Sequence, residues 1–288
     1  MSTIDIPIVV GPGSQPPEVD GLEVDYKMPD DDMSVYTLPQ VPEPDEIEGL
    51  DQAIDLLRRL QAALAEHQLS QSAVVFPLDA LDSANLELVN QLLGSGEVSM
   101  TFRGEVDVQI QESVLAGVWR VQSLGTKGEV VRDVIEIAAI PSLVTAETFK
   151  NNVSDGLDIA ALDIPENVYN APPLLAEIAD KMPRYRSGDE AHVINLSLLP
   201  HTDEDIDFLV STLGVGPTVI LSRGYGNCRI SSTATRHVWW VQYFNSQDSL
   251  ILNTLEISEV PDVACAAQED IDDSAQRLLE ILDIYRGR

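Results

Sequence analysis

The feature that most constrains this chain is that it repeats itself. Displaced by 120 residues, Leu93-Gly94-Ser95-Gly96 falls on Leu213-Gly214-Val215-Gly216, and Arg103-Gly104 falls on Arg223-Gly224. Val118-Trp119-Arg120-Val121-Gln122 falls on Val238-Trp239-Trp240-Val241-Gln242. Ile110 matches Ile230, Glu136-Ile137 matches Glu256-Ile257, and Pro141 matches Pro261. The register holds without a gap over about fifty residues, which identifies a duplicated unit rather than a coincidence. The copies are expected at 49–165 and 166–288.

Each copy reads alike. Leu50, Ile54, Leu57, Leu60 and Leu64 fall on one face at helical spacing, which predicts a helix over 50–66, matched by one over 172–182. Apolar strands follow at 73–76 and 192–198, then helices at 82–93 and 202–213. The Gly-x-Gly after the second helix suits the positive-φ residue that ends a helix. Four short strands are expected at 97–103, 106–112, 117–124 and 130–138 of the first copy. The closing stretch is helical, clearest over 271–285, where Ala275, Leu278, Leu282 and Tyr285 form a stripe. Consecutive strands with short turns favour antiparallel pairing beneath helices. The fold class is α+β: two tandem copies of a helix-flanked, mainly antiparallel sheet unit.

Residues 1–48 differ. They carry twelve acids against the single base Lys27, and eight of the 17 prolines. Proline removes backbone donors and like charges repel, so this acidic, Pro-rich tail is expected to be flexible or extended, with at most a docked piece at 35–38. It serves either as a solubilising tail or as a partner-binding arm. The whole chain has 17 Lys+Arg against 48 Asp+Glu, a formal charge of -31. That balance opposes nucleic-acid binding and docking on anionic lipid. No apolar run is long enough to span a membrane and no secretory signal is visible, so the expected compartment is the cytoplasm.

The copies serve as controls for each other. Trp119, Val121, Trp239 and Val241 are expected core. Cys228 shares its strand face with Ile230 and takes the place of Val108, which suits a buried small hydrophobe; a thiol in metal or redox chemistry is the other reading. Cys265, in Val263-Ala264-Cys265-Ala266-Ala267, has the same two readings. On the opposite strand face, Arg120 becomes Trp240, Ser99 and Thr101 become Val219 and Leu221, and Phe244 is added. The second copy is therefore expected to bury this face, against the first copy, a second molecule or a client polypeptide.

Catalytic patterns are sparse. His67, His192, His201 and His237 show no metal-ligand spacing, and no His-Glu-x-x-His or Gly-x-Ser-x-Gly occurs. His201 precedes Thr202-Asp203-Glu204-Asp205, where Thr202 is a natural helix N-cap. Gly224-Tyr225-Gly226-Asn227 is a hairpin turn, not a phosphate loop. No enzyme activity, cofactor or metal is expected.

The motifs resemble a known family. Ile110-Gln111-Glu112-Ser113 with Gly117-Val118-Trp119-Arg120-Val121, the stretch Ile220 to Ile230, the run Val238 to Asp248, and Val260-Pro261-Asp262-Val263-Ala264-Cys265-Ala266-Ala267 are similar to the [NiFe]-hydrogenase expression proteins of the HupH/HyaF/HoxQ family. The resemblance covers about 50–285. It implies a non-catalytic, chaperone-like maturation factor for the iron–sulfur small subunit of an uptake hydrogenase. Such a factor binds the precursor before twin-arginine export and protects it under oxygen, alongside other maturation proteins. The candidate partner-binding residues are Gln111, Glu112, Arg223, Tyr225, Asn227, Arg229, Trp240, Phe244, Asn245 and Gln247. The alternatives are an iron–sulfur or metal handler using Cys228 and Cys265, and a scaffold for other maturation proteins.

Overall fold

The structure, a computed structural model, describes residues 42–43, 47–150, 156–223 and 226–285. The expected tail, with its piece at 35–38, lies almost entirely outside the described residues. In chain order the first elements are α1 (Asp51–Glu66), β1 (Val74–Pro77), α2 (Ser83–Leu93), β2 (Val98–Phe102), β3 (Asp107–Glu112), β4 (Val118–Leu124), β5 (Val130–Ile137) and α3 (Ser142–Glu147). Then come α4 (Ala171–Lys181), β6 (His192–Asn195), α5 (Asp203–Leu213), β7 (Thr218–Ser222), β8 (Asn227–Ser232), β9 (Val238–Phe244), β10 (Leu250–Ile257) and α6 (Gln268–Asp283). The class is α+β with antiparallel strand pairing, as expected.

The described residues form two compact units. The first takes 42–43, 47–148, 217–223 and 262–285; the second takes 149–150, 156–216 and 226–261. Neither is continuous in sequence. The division expected at 49–165 and 166–288 follows the repeated sequence, and the compact units exchange segments across it.

In the first unit β1, β5, β4, β3, β2 and β7 are neighbours in that order, every pair antiparallel. β7 and β2 are matched strands, and Met100 lies opposite Ile220, its own counterpart 120 residues on. Helix α1 forms because its apolar residues recur at helical spacing. Its Leu57, Leu60 and Leu64 are fully buried with Ile271, Leu278 and Leu282 of α6 and with Val118, Ile135 and Ile137 of the sheet. Each such leucine contributes about 2 kcal/mol by leaving water. α2 starts at Asp82, whose carboxylate accepts from the Asn85 N–H at 2.9 Å.

In the second unit β8, β9, β10 and β6 are neighbours in that order, again antiparallel. Leu174, Leu175 and Ile178 of α4 and Ile206, Leu209 and Leu213 of α5 cover Val238, Trp240, Leu255 and Ile257. α5 opens with a capping box: the Asp205 N–H donates to Thr202 Oγ1, and the Asp205 carboxylate accepts from the Thr202 N–H. Such a cap is worth about 1 kcal/mol.

Backbone contacts recur 120 residues apart. The Gly96 N–H donates to Glu112 O and the Gly216 N–H to Ser232 O; the Ser113 N–H donates to Val118 O and the Thr233 N–H to Val238 O. Gly94 (φ 54°) and Gly214 (φ 69°) end α2 and α5 in a region that favours glycine. Two residues on, a Cβ at Gly96 would overlap the Ser113 carbonyl and one at Gly216 the Thr233 carbonyl, so the Gly-x-Gly is needed at both ends.

Candidate interaction surface

The antiparallel register of β8 and β9 sets Asn227 opposite Phe244, Arg229 opposite Gln242 and Ser231 opposite Trp240. Opposed residues share a sheet face, so one row of candidates comes together in the second unit. Asn227 is exposed, and its amide donates to Asp248 Oδ1 at 3.2 Å. Phe244 is half-buried. Asn245 closes the β9–β10 turn, its Oδ1 accepting from the Gln247 and Ser249 N–H groups at 2.8 and 3.0 Å. Its role is thus that of a turn-former, and it holds exposed Gln247 at the tip. Arg229 is half-buried and makes no hydrogen bond or ion pair to the described residues; its Nε is fully covered. Burial pulls its guanidinium pKa down.

The first unit holds three candidates. Gln111 is occupied structurally: its amide donates to the carbonyls of Gly96, Val98 and Glu112. Arg223 is exposed, with its backbone N–H on Glu97 O at 3.1 Å. Glu112 is half-buried opposite Trp119 and accepts from the Gly117 N–H at 3.4 Å. Burial, with Glu97 and Asp270 nearby, pushes its carboxyl up to about 7. Tyr225 lies outside the described residues.

Trp240 requires a correction. It is 3% exposed, packed in the cluster of α4 and α5, and its indole Nε1 donates to Asn253 Oδ1 at 2.5 Å. The apolar face expected to await a client, a second molecule or the other copy is covered around Trp240 by helices of its own unit. The physical reason is that β9 is buried on both faces: Val238, Trp239, Trp240 and Val241 are all nearly inaccessible. An alternation of period two cannot then reveal which face the helices take. Trp239 occupies the other face, edge-on to Phe149 at 5.2 Å, its indole donating to Glu259 O at 3.2 Å.

Cys228 is buried on that same second face, beside Tyr243. Burial pushes its thiol up to about 12, so the thiolate needed for metal or redox chemistry is scarce at neutral pH. Tyr243 is likewise raised to about 12 by burial. Cys265 is half-buried, and neither cysteine is in a disulfide. Among the described residues no group of three His, Cys, Asp or Glu side chains is arranged to hold a metal ion, and no helix is long and apolar enough to cross a membrane. His201 Nδ1 donates to the Leu199 carbonyl oxygen at 2.9 Å, and Thr202 is the N-cap, as expected.

Two features escaped the sequence reading. Asp205 is fully buried and accepts from the Tyr169, Asn170 and Ala171 N–H groups at 2.8 to 3.0 Å, as well as from Thr202. Burial opposes its charge, yet these four N–H groups overrule it and hold the carboxyl down to about 2. In the first unit Arg120 bridges Asp133 at 2.5 Å and also donates to Asn90. The signal for the second was present: Asp133 matches Asn253 just as Arg120 matches Trp240.

The chain matches the family model described as HupH hydrogenase expression protein, C-terminal conserved region, over 50–159 and again over 168–285. It is 47% identical to the hydrogenase expression/formation protein HoxQ of Cupriavidus necator over 98% of both chains. It is 43% identical to the hydrogenase expression/formation protein HupH of Rhodobacter capsulatus over 97% of both. To the hydrogenase-1 operon protein HyaF of Escherichia coli it is 33% identical, over 95% of this chain and 94% of that one. A solved hydrogenase expression protein HupH from Thiobacillus denitrificans aligns with 38% of this chain and 92% of its own, at 31% identity and a TM-score of 0.37.

Proposed function

This chain belongs to the HupH family of hydrogenase expression proteins, and on that premise we propose that it is an accessory factor in hydrogenase maturation. The observation that carries the reading is near-full-length similarity to proteins named for hydrogenase expression and formation. Its finer form is a chaperone-like factor that binds the small-subunit precursor in the cytoplasm before twin-arginine export and shields it from oxygen. We place the contact at the exposed end of the second unit, where Asn227, Arg229, Phe244 and Gln247 meet. Gln111, Glu112, Arg223 and Tyr225 remain candidates for a second contact. The paired hydrogen bonds 120 residues apart support a reading of 49–165 and 166–288 as copies of one ancestral unit. The buried, protonated thiol of Cys228 favours a protein-binding role over metal handling.

A charge of -31 draws a basic client by long-range attraction, which acts mainly on the association rate. Exposed charges are screened over about 10 Å at 0.1 M salt. Stopped-flow binding of the purified chain to the small-subunit precursor should therefore slow about tenfold between 20 and 300 mM salt, on the order expected for steered association. An association rate indifferent to salt removes the charge argument. Absence of any complex with the precursor removes the small-subunit reading.

A further inference from the structure

A guanidinium withdrawn from water without an anion is costly, so folded proteins pair it. This chain does so at Arg120, whose shielded guanidinium meets Asp133 at 2.5 Å. Arg229 is the exception. It is half-buried, its Nε is fully covered, and neither a hydrogen bond nor an ion pair reaches its side chain from the described residues. Among the described residues, burial is the cause of its lowered pKa. The lone cation stands in a chain where acids outnumber bases by 48 to 17.

The matched positions show that the fold does not ask for this charge. Gln109 fills the corresponding place on β3, opposite Gln122, as Arg229 stands opposite Gln242. The surroundings change in step. On this face Asp107 gives way to Asn227 and Asp133 to Asn253, so two carboxylates are removed from the row that gains the arginine. The acid hydrogen-bonded to the row, Asp248, is engaged by the Asn227 amide. The result is a guanidinium with no anion bonded to it among the described residues, with the Gln242 amide opposite and half-buried Phe244 two residues further along the same strand face.

We propose that Arg229 is a receptor for a carboxylate of the client polypeptide, an Asp or Glu side chain or a chain terminus. A charge-assisted bond to the guanidinium is the strong kind, and in a partly dry site it discriminates sharply against the uncharged amide. This deepens the partner-surface reading by naming the chemistry that one residue recognises. Long-range attraction of a basic client and local capture of one of its carboxylates are compatible, since the first sets the encounter rate and the second the docked register.

Two measurements on the full chain test it. The Arg229 Nε–H resonance, assigned by its loss in Arg229→Gln, is followed while N-acetyl-glutamate N-methylamide is added, then the matching glutamine derivative, then inorganic phosphate. A saturable shift with the glutamate derivative alone is expected. Equal response to glutamate and glutamine derivatives, a response to phosphate only, or no response overturns the proposal. In parallel, Arg229→Gln installs the residue that the matched strand tolerates. It should leave the melting temperature of the free protein unchanged or higher, and weaken binding of the small-subunit precursor at least tenfold. Unaltered binding by that variant overturns the proposal. If the wild-type chain binds no precursor while the glutamate derivative still shifts the resonance, the client assignment fails and the carboxylate site stands.

Discussion

Arg120 in the first unit and Trp240 in the second hold matched places on matched strands and solve the same packing problem by different chemistry. Arg120 reaches the Asp133 carboxylate and the Asn90 amide. Trp240 has Asn253 where Arg120 has Asp133, and Val210 on α5 where α2 carries Asn90. Its indole N–H finds the Asn253 carbonyl oxygen, and its rings fill the space under α4 and α5. Three positions have changed together. A buried polar or aromatic group specifies its neighbours, so neither solution tolerates exchange of one member alone.

Breaking that set has the largest expected effect. Trp240→Arg alone buries a cation among leucines with only a neutral amide to meet it. Urea unfolding should show a loss of about 4 kcal/mol, the range for an uncompensated buried charge plus the packing lost. Adding Asn253→Asp and Val210→Asn restores the first unit's partners and should return at least 1 kcal/mol of it. A triple variant no better than the single one would show that the surrounding core, rather than the three-residue set, decides the residue at 240.

A second matched pair sharpens the comparison. Asn85 and Asp205 both reach back to the start of a preceding helix: Asn85 Oδ1 accepts from the Ala53 N–H of α1, and Asp205 gathers three N–H groups around the start of α4. The neutral residue serves one donor and the charged one serves several, at the positive end of the helix dipole. Asp205→Ala should cost on the order of 3 kcal/mol, and Asn85→Ala about half as much. Only the charged residue adds a pH dependence. Asp205 has a folded pKa below its ordinary value, so its contribution is full above about pH 4 and is lost as pH falls toward 2. Acid titration of stability should show that loss in the wild type and not in Asp205→Asn.

Much of this was legible in the sequence, for identifiable reasons. α1, α2, α5 and the four-strand runs were readable because each element carries its own period, cap or turn. The 120-residue register is enough to locate Trp119 and Trp239 in the core. Two things were not legible. Val238 to Val241 are buried on both sides, so their sequence carries no period from which to choose the helix-covered face. Nor does the amphipathic stripe of α6 say what it packs on; its partner is α1, some two hundred residues away, rather than the helices nearer in sequence. The candidate surface suffered from the first problem. Trp240 reads as an anchor for a client because it lies on the strand face opposite the expected core of Trp239 and Val241, whereas Arg229 enters only through family resemblance.

The smallest effect concerns Glu112, whose matched residue is Ser232. Glu112 is held in a half-buried site opposite Trp119, with Glu97 and Asp270 adding repulsion and the Gly117 N–H only partly offsetting them. A carboxyl raised to about 7 favours its neutral form in the folded chain, while the unfolded chain ionises near its ordinary value of 4.5. Between those two pH values the folded state holds the extra proton, so stability falls as pH rises and levels off above about 7. Glu112→Gln removes the ionisation and keeps the shape. It should leave the melting temperature unchanged at pH 4.5 and raise stability by about 1–2 kcal/mol at pH 8. Ser232→Glu asks the converse at the matched site: if it costs nothing at pH 8, the second unit's site is wetter than the first's, and the raised titration belongs to Glu97 and Asp270 rather than to the place opposite the tryptophan.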